Sequence, residues 1–464
     1  MLTVLLGLLG LSFVVVIHEF GHFLAARALG VEVEVFSIGW GPKLLGFRKN
    51  KTEWRLSAFP LGGFCKMKGE EDFKLALEKK LPTIPRENGS FYGAQPWRRI
   101  LILVSGPLAN IILAVILFSI VSLAGITVQT APNRIILASE IQASFGKAFS
   151  GPSDPAAPLE SPADMAGLRT GDIISAVDGS AIRDYSDLQE AIGLNPGKKL
   201  LLSVERDGSR RTIPITPRLD KNSGQGLIGI FSWIDPKVET VDQQGSAAIA
   251  GIRAGDIITE IDGKPIKNTV GILSALDSRP EKVSISLLRD GQPLTVKAIV
   301  SYDAEGQSNL GLSFESITRT DKATSLFDAA VKGLEETGAT FAMSAKGIGL
   351  LFSGVNVLKA VSGPARITYM VGNTAKQSIE ASGFAGIPTI LSFLAFLSVS
   401  LFLMNLLPIP ALDGGQILLS ITEAIQRKPL RTKTIYRFQF VGAAMIMALF
   451  FLATFSDLLF FAGK

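Results

Sequence analysis

The sequence predicts a membrane protein in which four transmembrane helices flank a middle region built from two repeated α/β units. Three observations lead to this fold class. The 464 residues are 47% hydrophobic, and the mean hydropathy is +0.35. Long uncharged runs are concentrated towards both ends of the chain, whereas residues 133–335 have the composition of a soluble protein. Within this middle region one pattern of nineteen residues occurs twice.

The composition limits the classes of partner and site. The formal net charge is only +5, and no basic face is interleaved with aromatic residues, so a nucleic-acid partner is not expected. Cys65 is the single cysteine, which excludes an internal disulfide and a metal site made of four cysteines. The length suits about three domains at ~150 residues each.

Four segments are long and apolar enough to cross a bilayer, for which about 20 residues are needed. They are residues 1–17 with their continuation to 26, 100–133, 381–412 and 438–456. The first lacks the basic start and the cleavage site of a signal peptide, so we expect it to be a retained span. A further uncharged stretch, 347–358, is about 12 residues long, which fits an interfacial or re-entrant segment better than a span.

Basic residues in the shorter connections predict the orientation. Residues 27–99 and 427–437 are rich in lysine and arginine, so both connections are expected on the cytoplasmic side. The N-terminus, the middle region and the C-terminus then lie on the far side. Four spans satisfy this arrangement, whereas a fifth would put the polar residues of the first and third spans on opposite faces.

The two histidines of the chain stand four residues apart, in His18-Glu19-Phe20-Gly21-His22. Positions i and i+4 share one face of a helix, so both imidazoles can reach one metal ion. A catalytic zinc ion takes such nitrogens and keeps one position open for water. Glu19 can then act as the general base towards that water. The alternative is a pair of polar side chains satisfied within a helical bundle, but ionisable groups at membrane depth are costly and usually functional.

A third ligand must be a carboxylate or Cys65, because no other histidine is present. Asp413 is the best candidate, at the end of the third span. Pro408 and Pro410 cannot continue a helix, and irregular backbone at membrane depth is tolerated where it lines a protein cavity. The alternative role for Asp413 is to cap the helix that follows, and the two roles are compatible.

The two motifs, His18 to His22 and Asn405-x-x-Pro408-x-Pro410-x-Leu412-Asp413-Gly414, resemble those of the site-2 intramembrane metalloproteases. This resemblance implies one zinc ion held by His18, His22 and Asp413, with Glu19 as the catalytic base. It also implies that Asn405 helps to hold the substrate or the developing oxyanion, and we place Pro408 beside it in substrate binding. Residues 105–110, Ser-Gly-Pro-Leu-Ala-Asn, are similar to the Gly-Pro motif of the family; close helix packing is the alternative reading of that stretch.

The repeat in the middle region aligns residues 161–179 with residues 245–263 without gaps. Each copy is followed by a helix-like segment and by two alternating strands joined by Asp207-Gly208 or Asp290-Gly291, a strong hairpin signal. These units resemble PDZ domains, whose groove captures an extended peptide or a free C-terminus. Residues 226–229 (Gly-Leu-Ile-Gly) are a weak candidate for the carboxylate-binding loop of the second unit.

Tandem PDZ domains between the second and third spans narrow the resemblance to the bacterial regulator of sigma-E protease type. This resemblance implies a multi-pass protein of the bacterial inner (cytoplasmic) membrane, with periplasmic PDZ domains and an active site towards the cytoplasmic side. The implied substrates are single-pass membrane proteins, of the anti-sigma factor type after a first cut, and remnant signal peptides. The PDZ domains either obstruct bulky substrates, which we favour, or bind substrate tails.

Residues 31–38 and 52–59 alternate between apolar and polar side chains and predict a β-hairpin on the cytoplasmic side. An exposed edge at Val33 and Val35 could bind an unwound substrate by strand addition, or the hairpin could merely pack on the bundle. Residues 321–359 carry apolar side chains at helical spacing and are expected to lie along the outer membrane surface.

The predicted function is that of a zinc-dependent intramembrane endopeptidase. The alternative is a non-catalytic PDZ scaffold or membrane chaperone with a structural metal, for which Glu19 would have no use. The predicted division of the chain is 1–127 (first half of the membrane core), 128–218 and 224–303 (PDZ domains), 304–387 (connector) and 388–464 (second half of the core).

Overall fold

The computed structural model describes residues 2–140, 161–221, 223–302, 308–350 and 362–462. The helices are α1 (Leu2–Ala28), α2 (Glu70–Glu78), α3 (Pro96–Ala124), α4 (Pro162–Met165), α5 (Tyr185–Gly193), α6 (Ser246–Ile249), α7 (Thr269–Leu276), α8 (Leu326–Leu350), α9 (Pro364–Ser382), α10 (Ile387–Leu406), α11 (Asp413–Gln426) and α12 (Thr432–Ala462), with a 3₁₀ turn at Gly383–Gly386.

The strands are mostly short. They are β1 (Val33–Lys49), β2 (Thr52–Met67), β3 (Ile126–Thr130), β4 (Ile135–Leu137), β5 (Ile173–Val177), β6 (Ser180–Ala181), β7 (Leu200–Arg206), β8 (Ser209–Ile215), β9 (Arg218–Leu219), β10 (Gly226–Leu227), β11 (Ile230–Ser232), β12 (Val238–Val241), β13 (Ile257–Ile261), β14 (Lys264–Pro265), β15 (Lys282–Arg289), β16 (Gln292–Ile299), β17 (Ser301–Tyr302), β18 (Ser308–Asn309), β19 (Leu312–Phe314) and β20 (Ile317–Asp321).

The described residues form two compact units, one running up to Ile126 and from Asp321 onwards, the other comprising Thr127–Thr320. In the first unit α3 is central, because it packs against α1, α8, α10 and α11. The apolar core between α1, α3 and α10 contains Val14, Ala114 and Val399, all fully buried.

Four helices among the described residues are long and apolar enough to cross a membrane, as the sequence predicts. Their bounds differ from the predicted ones for local reasons. The second span begins at Pro96 and ends at Ala124, because Gly125 has a positive φ and strand β3 follows. The third ends at Leu406, two residues before Pro408, which cannot donate a helical hydrogen bond.

The uncharged stretch 347–358 begins inside helix α8, which continues to Leu350, and its remainder lies outside the described residues. Helix α8 packs against α3 and α10. The predicted connector 304–387 is therefore built from strands β18–β20 and from helices α8 and α9, as far as the chain is described. The apolar side chains at helical spacing that were noted in residues 321–359 lie on α8, which the structure describes up to residue 350.

The predicted hairpin forms, but its strands are longer and its sheet is more complex than expected. Residues 33–38 of β1 pair with residues 63–67 of β2 on one side, and residues 35–38 also pair with residues 53–56 on the other. Residues 40–49, the second part of β1, pair with residues 52–59 of β2. Strand β2 packs along α1, where Ser12 Oγ donates to the carbonyl of Pro60 and accepts from the amide of Gly62.

The second unit contains the two repeats, each with a four-stranded antiparallel sheet and one helix of eight or nine residues. The sheets have the orders β6-β5-β7-β8 and β14-β13-β15-β16. Both predicted hairpin turns are present, with positive φ angles at Asp207-Gly208 and Asp290-Gly291.

The same ion pair, with a buried aspartate, recurs in both repeats: Arg206 binds both carboxylate oxygens of Asp172, and Arg289 binds those of Asp256. Burial raises the pKa of Asp256, but hydrogen bonds from Arg289 and from the amide of Arg253 outweigh burial, and the pKa is lowered.

The predicted repeat boundaries, 128–218 and 224–303, both end too early. In the first repeat β4 pairs with β11, so this unit extends to Ser232. In the second repeat β12 pairs with β19, which ends at Phe314. Residues 226–229 therefore belong to the first repeat and not to the second, and Ile228 lies in the core of the first repeat. The closing strand follows the hairpin in the chain, and no local signal connects it to the strand that it joins.

Candidate active site

Helix α1 carries both histidines on one buried face. The exposed fractions of His18 and His22 are 5% and 6%, and their Nε2 atoms are 3.1 Å apart. The spacing of four residues places the two rings on successive turns, as the sequence predicts. Two imidazole nitrogens therefore converge on one point inside the bundle.

Asp413 reaches this point from the first turn of α11. Its Oδ2 atom lies 3.1 Å from His18 Nε2 and 3.4 Å from His22 Nε2. The chain between α10 and α11 contains Pro408 and Pro410 and turns back sharply, with Ala411 at a φ of 77°. Gly414 permits this turn, because a Cβ there would overlap the carbonyl oxygens of Leu406 and Leu407.

The three residues fit a zinc ion. The distances between the three candidate donor atoms are 3.1, 3.1 and 3.4 Å, and tetrahedral ligands about 2.0–2.1 Å from zinc are about 3.3–3.4 Å apart. Asp413 Oδ2 is buried and accepts no hydrogen bond of good geometry from any described residue. His18, His22 and Asp413 are the one group of at least three potential metal ligands found among the described residues.

Glu19 lies beside these three residues and interacts electrostatically with each of them. It points to a different side of α1 from the histidines, and its Oε2 atom accepts a hydrogen bond of 3.1 Å from the amide of Cys65 in β2. The carboxylate is thus held between α1 and one strand of the hairpin sheet. Cys65 contributes its backbone to the site, and it is absent from the group of potential ligands.

Asn405 lies at the end of α10, with its Nδ2 atom 3.5 Å from His18 Nε2. The structure therefore brings Asn405 to the predicted site, although this distance is at the limit of a hydrogen bond. Pro408 is exposed in the turn that leads to Asp413. Its substrate-binding role stays a prediction.

Val33 and Val35 are not at a free edge, in contrast to the prediction. Val33 is 2% exposed and pairs with Met67, and its carbonyl accepts from the Thr52 hydroxyl. Val35 is flanked by residues of β2 on both sides. Strand β2 folds back past β1, so the part of β2 that lies beside α1 is residues 63–67.

Helix α3 supports the histidines, which the sequence interpretation did not foresee. His22 Nδ1 donates a hydrogen bond of 2.8 Å to the carbonyl oxygen of Ile102, which leaves Nε2 facing Asp413. Asn110 lies against His18. Gly106, between them, packs directly on the His22 ring. The Gly-Pro motif at residues 105–110 was the signal that could have indicated these contacts.

We expect Gly106→Ala to weaken zinc binding and proteolysis by about 10–100-fold, the range typical for loss of support behind a metal ligand. A Cβ at this position would overlap three atoms of the His22 ring, so the ring must move. Alanine favours a helix over glycine by about 1 kcal/mol, so the helix itself should not suffer. Zinc titration and substrate cleavage measure the effect.

Gly338→Ala in α8 is the matched control, because a Cβ there meets no atom within 4 Å. It should bind zinc and cleave as the wild type does. Wild-type zinc affinity in Gly106→Ala would contradict the packing argument.

Comparison with known proteins assigns the chain to a family. The family model described as Peptidase family M50 matches residues 6–449. The chain belongs to peptidase family M50. A relative from Treponema pallidum (strain Nichols), named "Putative zinc metalloprotease", is 36% identical over 458 residues and covers 98% of this chain and 99% of its own length. A relative of the same name from Borreliella burgdorferi is 32% identical, with 98% of both chains covered.

Among solved structures, the PDZ domain of the SdrC-like protein from Listeria monocytogenes matches 18% of this M50 peptidase and 90% of its own chain. The identity is 23% and the TM-score is 0.16. The family membership makes the chain a protease of the site-2 type, and the four apolar helices make this M50 peptidase a membrane protein. The alternative function, a non-catalytic scaffold with a structural metal, is therefore rejected.

Proposed function

We propose that the chain is an intramembrane endopeptidase with one zinc ion per chain, held by His18, His22 and Asp413, and with Glu19 as the general base. The observation that carries this proposal is the convergence of three ligand atoms from α1 and α11 beside a carboxylate that is not one of them. Zinc also appears in the names of the relatives from Treponema pallidum and Borreliella burgdorferi.

In the proposed mechanism, each residue of the site has a separate role in peptide hydrolysis. Zinc, when bound, acts as a Lewis acid towards the water and the scissile carbonyl. Glu19 accepts the proton of the attacking water and returns it to the leaving amine. The Asn405 amide can donate to the developing oxyanion, because its nitrogen already lies at the edge of the site. Burial of the two histidines excludes bulk water, which strengthens these electrostatic interactions.

A transmembrane helix must unwind before its peptide bonds can be cut, and its freed amides then need partners. Residues 63–67 of β2 are better suited to this role than Val33 and Val35, because they lie along α1 and the Cys65 amide already contacts Glu19. Strand addition at this edge would place the substrate backbone next to the general base. Pro408, exposed in the turn before Asp413, is proposed to contact the same substrate.

The proposed substrate class rests on the apolar helices and on the family resemblance. We propose single-pass membrane proteins of the anti-sigma factor type, already shortened by another protease, and remnant signal peptides. The basic connections support an orientation with the active site towards the cytoplasm and the α/β repeats on the far side. We propose that the membrane is a bacterial inner membrane, with the repeats in the periplasm. The repeats are proposed to obstruct substrates with bulky outer domains, and binding of substrate tails is the alternative.

The test uses the purified full-length chain in liposomes with a tagged single-span substrate. The substrate is prepared in two forms, with a short outer tail and with a folded outer domain. We expect the zinc-loaded protein to cut only the short form, a chelator to stop the cleavage, and added Zn²⁺ to restore it. No cleavage of the short form by zinc-loaded protein would refute the proposed activity. Equal cleavage of both forms would refute size exclusion and favour tail binding.

A further inference from the structure

One face of α3 contacts both candidate ligand histidines. Ile102, Gly106 and Asn110 stand at i, i+4 and i+8, so they line up along this face. Ile102 accepts a hydrogen bond from His22, and Gly106 packs against the same ring. Asn110, one turn further on, faces His18. Ile102 and Gly106 therefore fix the ring of His22, whereas Asn110 contacts His18.

Asn110 is fully buried, and its Nδ2 atom is 3.3 Å from His18 Nδ1. Its Oδ1 atom is buried without a hydrogen-bond partner among the described residues. Burying an amide without partners costs about 1–3 kcal/mol, so a leucine or alanine would suit a purely apolar helix contact better. Within the described part of the chain, His18 is the one side chain found in hydrogen-bond reach of the Asn110 amide.

The direction of this hydrogen bond follows from the chemistry of imidazole. A neutral imidazole that binds a metal through Nε2 has its proton on Nδ1, so Nδ1 is a donor and needs an acceptor. An amide nitrogen cannot accept. The oxygen and nitrogen of an asparagine amide occupy nearly equivalent positions, and their assignment follows from the hydrogen-bond network. Turning the Asn110 amide by half a turn places Oδ1 opposite His18 Nδ1.

We propose that Asn110 is a positioning residue of the metal site, whose Oδ1 accepts the Nδ1 proton of His18 and so directs the Nε2 lone pair towards zinc. In the recorded orientation Oδ1 has no hydrogen-bond partner among the described residues and Nδ2 faces the Nδ1–H of a zinc-binding His18, so the histidine favours the turned amide. The Ile102 carbonyl accepts the Nδ1 proton of His22 in the same way. The two acceptors together give both histidines the same tautomer, with the proton on Nδ1. This inference rests on the proposed role of His18 as a zinc ligand.

The backbone around Asn110 is held independently of His18. Ser398 Oγ in α10 donates a hydrogen bond of 2.8 Å to the Asn110 carbonyl, and Ser398 is fully buried. The Asn110 side chain can therefore be changed while its position on α3 is retained. Ser398→Ala serves as a control that disturbs the same helix pair without touching the histidine.

The experiment measures the dissociation constant of Zn²⁺ for the purified full-length protein by competition with a chelator. Asn110→Leu keeps the branching of the side chain at Cγ with a larger volume and removes the acceptor, and we expect its zinc affinity to fall by about 10–100-fold. Asn110→Asp has about the same size and offers only acceptors, so we expect it to stay within a few-fold of the wild type. Helix content and thermal unfolding of each variant are recorded alongside.

The comparison of Asn110→Leu with Asn110→Asp separates a positioning role of Asn110 from a role in helix packing. If Asn110 only packs, the buried carboxylate of Asn110→Asp is at least as harmful as leucine, and that result would overturn the proposal. Wild-type zinc affinity in a folded Asn110→Leu would also overturn it. His18→Ala is measured in parallel. If His18→Ala retains wild-type affinity, the proposed ligand set itself is wrong, whereas loss of zinc in His18→Ala with no loss in Asn110→Leu refutes the positioning role alone.

Discussion

The Glu19→Gln variant is expected to bind zinc as the wild type does and to cleave a single-span substrate about 10²–10⁴-fold more slowly, the range typical for loss of a general base. Glutamine has the shape of glutamate, and its carbonyl can still accept the hydrogen bond from the Cys65 amide. It cannot take a proton from water at neutral pH. The substitution therefore removes the base and retains the structural contact.

The measurement combines cleavage rates in liposomes with metal analysis of the same preparations. Glu78→Gln is a suitable control, because Glu78 is exposed at the end of α2. Cleavage by Glu19→Gln at the wild-type rate would exclude Glu19 as the base. Loss of zinc from this variant would instead mean that Glu19 takes part in holding the metal.

The Asp413→Ala variant is expected to lose zinc affinity by more than the 10–100-fold that is typical for an outer partner, because a ligand atom itself is removed. The buried histidines would keep two donors, which is too few for the three protein ligands of a catalytic zinc site. Cleavage should disappear together with the metal. The first turn of α11 should persist, since alanine is a good helix former.

Asp457→Ala tests whether loss of any buried aspartate has this effect. Asp457 in α12 accepts hydrogen bonds from the amides of Gly363, Ala365 and Arg366 at the start of α9, and it does not contact the histidines. We expect this control to be less stable and to retain zinc affinity. Undiminished zinc affinity in Asp413→Ala would mean that the third ligand is another residue, and Cys65→Ser would be the next variant to measure.

Local patterns were sufficient for much of the fold. The four spans follow from runs of apolar residues, and the turns at Asp207-Gly208 and Asp290-Gly291 follow from residues that tolerate positive φ. His18, Glu19 and His22 fall on their expected faces because the period of an α-helix fixes the direction of each side chain. These features depend on neighbours in the chain.

Long-range pairing was predicted less well. The closing strands β11 and β19 were placed outside their repeats, and Val33 and Val35 were placed at an edge that is in fact interior. Alternation of apolar and polar residues predicts a strand, but not which strand becomes its second neighbour. The additional pairing of β1 with two parts of β2 depends on bulges that have no simple sequence signature.

The sequence by itself determined one half of the candidate site, the two histidines and the glutamate on a single helix, because helical geometry alone brings them together. Asp413 was predicted from its motif, but only the tertiary structure decided that its Oδ2 atom lies between the two histidines. The supporting contacts of Ile102, Gly106 and Asn110 were likewise decided by the packing of α3 on α1. Side-chain direction along one helix is a property of the local backbone, whereas contacts between helices distant in sequence exist only once the whole bundle has packed.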